Sequence, residues 1–219
     1  MIALRRIDHS IELEGYDPTD TLEDLIWALD AARRTPGLRT ASCHLCGECC
    51  GDLVPVLGID LLPLSRRIGA DALYGSVLTL PDRPDMRERR ESIASLTRDS
   101  EMEATTASLI YEYNNAEPVT FRRHANGVCT LQHNLLCTIY GGHPTACRFY
   151  LCNMAERLSV LYENVVRQGV WHSYVTLGWI SESDVPHNPF LGASSCADVR
   201  LSTFDVDLSG ALEALFFYF

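Results

Sequence analysis

The chain has no lysine, and all 18 of its basic residues are arginine. Genome composition explains that absence most cheaply. Long apolar runs are also missing. No stretch approaches the roughly 20 consecutive apolar residues that cross a bilayer, and the terminal run Leu212 to Phe219 is short and interrupted by Glu213. The opening Met1-Ile2-Ala3-Leu4-Arg5-Arg6 is followed by Asp8, Glu12 and Glu14 rather than by an apolar segment. That pattern excludes an ordinary secretory signal and predicts a cytoplasmic protein.

Positive charge is scarce as well. A net charge of -11 repels phosphate backbones and anionic lipid, so nucleic acid and membrane are not expected as partners. No glycine-rich turn between a strand and a helix, of the kind that holds a nucleotide-like cofactor, is visible, and Gly141-Gly142 is a weak substitute. Internal repeats, linkers and low-complexity tracts are absent too, so residues 1–219 read as one domain.

With 47% apolar residues, the 219-residue chain has material for a real core and does not need cross-links to fold. Its nine cysteines therefore want another explanation. In a reducing compartment, clustered cysteines read as metal ligands or redox groups before they read as a disulfide frame.

Periodicity predicts a mostly helical α+β fold. Leu22, Leu25, Ile26, Leu29 and Ala32 recur at helical spacing, with Thr21 and Asp24 as a capping box and Pro36-Gly37 as a stop. Asp60 is expected to cap a second helix through Ile68, with Pro63 in its first turn and Gly69 ending it. Residues 82–114 suggest one or two surface helices. Val119 to His124 and Val128 to Leu131 flank Ala125-Asn126-Gly127 and predict a short hairpin that delivers Cys129. Leu158, Leu161, Tyr162 and Val165 predict a further helix with Gly169 as its cap, and the Pro- and Gly-bearing tail after it reads as irregular. Trp171, Tyr174 and Trp179 read as core.

The chemistry lies in two cysteine clusters. The first, Cys43-His44-Leu45-Cys46-Gly47-Glu48-Cys49-Cys50, places three thiols at successive C-x2-C intervals with a fourth adjoining. Three such cysteines form the local part of a four-iron four-sulfur ligand set whose fourth thiolate comes from elsewhere in the chain. Zinc also uses C-x2-C, usually as paired knuckles. The second cluster, Cys129, Cys137, Cys147 and Cys152, supplies distant partners and makes residues 43–152 the metal-binding core. Cys43, Cys46, Cys49 and one thiol of the second cluster are the first choice for one centre. The other four thiols are then available to a second metal. Cys196 lies outside both clusters and reads as a buried thiol.

C-x2-C-x2-C-C followed by C-x7-C-x-I-Y-x3-P-x2-C-R-x3-C, with Tyr140, Pro144 and Arg148 in place, resembles the cysteine-cluster family described as zinc- or iron-chelating domains. The resemblance spans Cys43 to Cys152. Where that family has arginine before the proline, this chain has His143. A similar domain accompanies flagellin lysine N-methylases, so the resemblance allows methyl transfer to a protein, and the lack of lysine suits an enzyme that must not modify itself.

Thiolates on an iron-sulfur core leave a negative charge that nearby donors and cations must offset, and Arg148 is the obvious candidate. Arg122, Arg123 and His124 are further cations near the hairpin. His44, His133 and His143 lie within the clusters and carry possible ligand nitrogens. Glu48 is a possible proton acceptor, and Tyr140 and Tyr150 are expected to pack over the site. The expected function is binding of an iron-sulfur centre with a redox or accessory role, toward a protein partner or protein substrate. A cluster-dependent enzyme acting on a protein or small molecule, methyltransferase-like, is one alternative, and a structural zinc protein is the other.

Overall fold

The computed structural model describes residues 1–8, 10–35, 54–100, 102–134, 136–139, 142–149 and 154–204. Helices dominate and the strands are short antiparallel pairs, so the fold is mostly helical α+β. No described helix is long and apolar enough to cross a membrane.

The chain opens with a hairpin of β1 (Ala3–Ile7) and β2 (Ser10–Gly15), turning at Asp8 with φ 52°. Alternation along β2 buries Ile11 and Leu13 while Ser10 and Glu12 face outward, as a half-buried strand requires. Helix α1 (Leu22–Arg34) follows with the expected capping box. Thr21 Oγ accepts from the Asp24 amide and the Asp24 carboxylate accepts from the Thr21 amide. Its periodic face, Leu22, Leu25, Ile26, Leu29 and Ala32, is buried.

Helix α2 (Gly58–Ile68) starts two residues before Asp60 and ends at Gly69, with Pro63 in its interior. Asp60 therefore does not cap it as the sequence predicted. Its carboxylate is committed elsewhere. A short helical turn, Ala70–Ala72, and a wider one, Leu73–Val77, lead into β3 (Leu78–Thr79). Helices α3 (Met86–Ser100) and α4 (Ala104–Asn115) follow, so the charged segment forms two helices. They are joined by a buried ion pair. Arg89 Nη2 lies 2.6 Å from the Glu112 carboxylate, and Ser108 Oγ donates to the same oxygen at 3.0 Å.

Strand β4 (Thr120–Phe121) pairs with β3, and the backbone then reverses through Asn126-Gly127. Gly127 adopts φ 82°, and Arg123 bridges to Cys129 as the hairpin prediction required. A second, smaller hairpin of β5 (Gln132–His133) and β6 (Leu136–Cys137) turns at Asn134 with φ 49°. The helical turn α5 (Thr145–Phe149) leads toward the long α6 (Glu156–Thr176). Gly169 lies inside α6 and does not cap it. A Cβ there would stand 2.8 Å from the Leu57 side chain, and one on Gly58 would stand 2.5 Å from His172 Nδ1 and 2.6 Å from the His172 backbone. These two glycines let α2 and α6 approach closely.

The tail after α6 is made of loops and 3-10 turns, as expected, and returns to α1 through the bond from the Leu22 amide to the Val199 carbonyl at 2.8 Å. Among the described residues, two apolar cores result. The larger gathers α1, β2, α6 and the tail, with Trp171 and Tyr174 at its centre. The smaller joins Leu61 and Leu64 of α2 to Leu78, Val119, Phe121, Leu131 and Ile139. Residues Leu57 and Ile59 belong to the first core, and Val56, Leu61 and Leu64 to the second. The start of α2 is thus the wall between the two cores.

Candidate metal centre

Of the expected site residues, Cys43, Cys46, Cys49, Cys50, Tyr140 and Cys152 lie outside the described residues, as do His44, Glu48 and Tyr150. Cys129, Cys137, His143, Cys147 and Arg148 are described. They fall into two groups.

The hairpins carry the first group. Cys129 is bridged to Arg123, and Cys137 pairs with Gln132, whose amide donates to the Cys129 carbonyl at 2.9 Å. Both thiol side chains are half-buried against the smaller core, on which Val54 also packs. His133 is exposed at the neighbouring register position. Arg122 donates Nε to the Leu78 carbonyl at 2.8 Å and Arg123 donates to the Gly127 carbonyl at 3.2 Å, so both side chains fasten the hairpin.

The second group sits on α5. The Gly142 amide donates to the Ile139 carbonyl at 2.9 Å, which turns the chain from the second hairpin toward His143. Half-buried Cys147 and Arg148 follow on the helical turn. The last turn of α1 holds this turn from outside. Arg33 donates Nη2 to the Arg148 carbonyl at 2.6 Å and Nη1 to Asp30 at 2.5 Å, while Arg148 Nη2 lies 3.5 Å from the other Asp30 oxygen. Arg67, in the last turn of α2, abuts Gly142, where a Cβ would collide with its guanidinium.

Burial, followed by the opposing influence of Asp30 and the fields of Arg148, Arg33 and Arg67, sets the state of His143. The net result holds its imidazole below the usual range, so it is neutral at pH 7. A neutral ring offers a lone pair to a metal or an N–H to a sulfur. The three guanidinium groups make a local cationic field in a protein of net charge -11. Such a field stabilises thiolates.

Beneath α5 lies a buried polar chain. Asp60 Oδ1 accepts from the Thr145 amide at 3.0 Å and from the Thr145 hydroxyl at 2.8 Å, and that hydroxyl lies 3.2 Å from Cys196 Sγ. Burial pushes the Asp60 carboxyl up to about 6, against the opposing effects of the Thr145 bonds and the Arg148 charge. Burial likewise pushes the Cys196 thiol up to about 11, so it stays protonated at neutral pH. Oδ2 of Asp60 has no hydrogen-bond partner among the described residues.

Sequence reasoning singled out Arg148 and His143 but missed Asp30, Arg33, Arg67 and Thr145, and it gave Asp60 the wrong task. Only the i, i+3 spacing of Asp30 and Arg33 was a usable signal. The other partners are set by tertiary packing. Among the described residues, no three His, Cys, Asp or Glu side chains form a metal-binding group. A centre with three or more such ligands therefore has to draw on residues outside the described set, which include Cys43, Cys46, Cys49, Cys50 and Cys152. The chain matches no family model, no curated protein and no solved structure.

Proposed function

We propose that this chain binds an iron-sulfur centre, a four-iron four-sulfur cluster by preference, through thiolates drawn from both cysteine clusters, and serves a redox or accessory role in the cytoplasm. The observation that carries the reading is where the first-cluster segment is anchored. On one side, α1 ends at Arg34 with Arg33 bonded to α5, which bears Cys147. On the other, Val54 packs on the core that holds Cys129 and Cys137, and the Val56 amide donates to the Val119 carbonyl at 2.7 Å. The N-terminal flank of Cys43 to Cys50 is thus bonded to the helical turn that bears Cys147, and the C-terminal flank packs on the same small core as Cys129 and Cys137.

The donor set fits the group. Cys43, Cys46 and Cys49 have the spacing for three corners of such a cluster, and Cys129, Cys137, Cys147 and Cys152 are the candidates for the fourth. When bound, the centre supplies one-electron transfer. Arg33, Arg67 and Arg148 lower the cost of holding anionic sulfur, and the half-buried setting of Cys129, Cys137 and Cys147 limits access of water. The neutral imidazole of His143 favours a second reading, a zinc site with a mixed thiolate and imidazole shell.

Anaerobic purification followed by iron, zinc and acid-labile sulfide analysis, with an optical spectrum, tests the proposal. Iron and sulfide in near-equal amounts, with a brown colour that bleaches on reduction, are expected. Zinc without sulfide would replace the first reading by the second, and neither metal would end both.

A further inference from the structure

We infer that Asp60 is a positioning residue for Cys147, aiming the thiol from a helix that stands 85 residues earlier in the chain. The inference takes its purpose from the proposed metal site, while the contact itself stands on geometry. Helix α5 has only five residues, Thr145–Phe149. A helical turn that short cannot stabilise itself, because nucleation fixes several residues for one hydrogen bond. Its orientation must come from outside.

Asp60 supplies that hold by accepting both polar hydrogens of Thr145, the amide at 3.0 Å and the hydroxyl at 2.8 Å. Thr145 is buried, with 3% of its surface exposed, and Cys147 follows it by two positions. Residues two apart on a helix face in nearly opposite directions. Fixing Thr145 inward therefore turns Cys147 away from that buried anchor. Cys196 completes the grip from the tail, with its thiol 3.2 Å from the same hydroxyl.

The arrangement is costly, since a buried carboxyl with one unpartnered oxygen loses hydration that Oδ2 does not recover. An apolar residue at 60 would avoid that cost but leave the Thr145 amide and hydroxyl without their acceptor. The carboxyl is therefore best explained by what it orients.

The test uses the full-length protein as purified, in wild-type form and as Asp60→Asn and Asp60→Ala. Two readouts are taken: hydrogen-deuterium exchange of peptides covering 142–149 and 156–176, and metal content. Asparagine keeps the Oδ1 acceptor, so Asp60→Asn should exchange no faster than wild type in 142–149 and keep its metal content. Loss of both bonds in Asp60→Ala should speed exchange in 142–149 by about tenfold or more, leave 156–176 unchanged and lower metal content.

Equal exchange in Asp60→Ala and wild type would overturn the inference, as would acceleration spread evenly over both peptides, which is the mark of general destabilisation. If Asp60→Ala does not fold, Thr145→Val removes only the hydroxyl. It should speed exchange in 142–149 alone by about threefold, and no change there would overturn the inference. Absence of metal from wild type would sink the metal reading, while the exchange readout would still decide whether Asp60 holds α5.

Discussion

The Arg148 guanidinium lies over the Trp27 ring, 5.7 Å from its centroid, while its Nη2 reaches to 3.5 Å from Asp30. Three elements thereby fix one cation next to Cys147 in sequence: the α1 aromatic, the α1 carboxylate and, through Arg33, the backbone of α5. An arginine held in this way acts as a fixed charge rather than a wandering one.

Replacing Arg148 by Ala should therefore weaken metal binding by about 10-fold to 100-fold, the usual cost of losing an outer-shell partner. Lysine should restore only part of it, because an ammonium lacks the planar face for Trp27 and the fork for Asp30. Competition with a chelator, read against unchanged far-ultraviolet circular dichroism, checks this outcome. Equal metal affinity in wild type and Arg148→Ala would remove the charge-balancing role.

Glu112 and Arg89 make a different kind of pair, with side chains only 4% and 7% exposed. Burial pulls the Glu112 carboxyl above its ordinary range, against the countering charge of Arg89. Glu112→Ala would leave the guanidinium buried without its anion and should cost about 3 to 5 kcal/mol. Urea unfolding at constant metal loading measures it. Replacing both residues by apolar ones of similar volume should cost much less than the single change.

Asp60 gives the stability curve a definite sign. Its folded-state value of about 6 exceeds the ordinary 3.8, so the folded protein binds an extra proton between those two pH values. The contribution from this group is fully present below pH 3.8 and is lost as pH rises through about 6. The loss is on the order of 3 kcal/mol. Other carboxylates, such as Asp24 and Asp198, are shifted downward and act in the opposite direction, so the useful quantity is the difference between wild type and Asp60→Asn. Relative to wild type, Asp60→Asn should gain stability across that window and level off above it, measured by urea unfolding at several pH values.

The close approach of α2 and α6 carries its own consequence. Alanine normally stabilises a helix interior by about 1 kcal/mol relative to glycine. At Gly169 the new methyl would meet Leu57 at 2.8 Å, and at Gly58 it would meet the His172 backbone at 2.6 Å. Overpacking of this kind costs about 1 to 3 kcal/mol, so both substitutions should lower the melting temperature. Gly58→Ala should be the worse, because backbone yields less than a leucine side chain.

The sequence disclosed those parts of the fold that local chemistry decides. Helix α1 was legible from its capping box and apolar stripe, and the turn at Asn126-Gly127 from its need for positive φ. Gly169 was misread because glycine near the end of a periodic run looks like a stop, whereas here it relieves a contact with Leu57. Asp60 was misread for a related reason. An acidic residue early in a helix looks like a cap until Thr145, far along the chain, claims its oxygen. At the candidate site, thiol spacing identified the donors, but the guanidinium groups around His143 come from three separate helices that only packing brings together.

The ninth cysteine sharpens the test of ligand identity. Cys196 was set apart on sequence spacing, yet its thiol lies 3.2 Å from the hydroxyl of Thr145, two residues before Cys147. Proximity alone therefore does not separate it from the expected ligands. Its place outside both cysteine clusters is what sets it apart, and without metal, burial holds the thiol up at about 11, in the protonated form. Cys46→Ser should abolish most metal binding, since serine is a poor substitute for a soft thiolate ligand. Cys196→Ser keeps a hydroxyl beside Thr145 and should retain near-normal metal content, at a stability cost of about 1 kcal/mol. Full metal content in Cys46→Ser would break the ligand assignment. Loss of metal in Cys196→Ser would instead show that binding deprotonates this thiol and brings the tail into the centre.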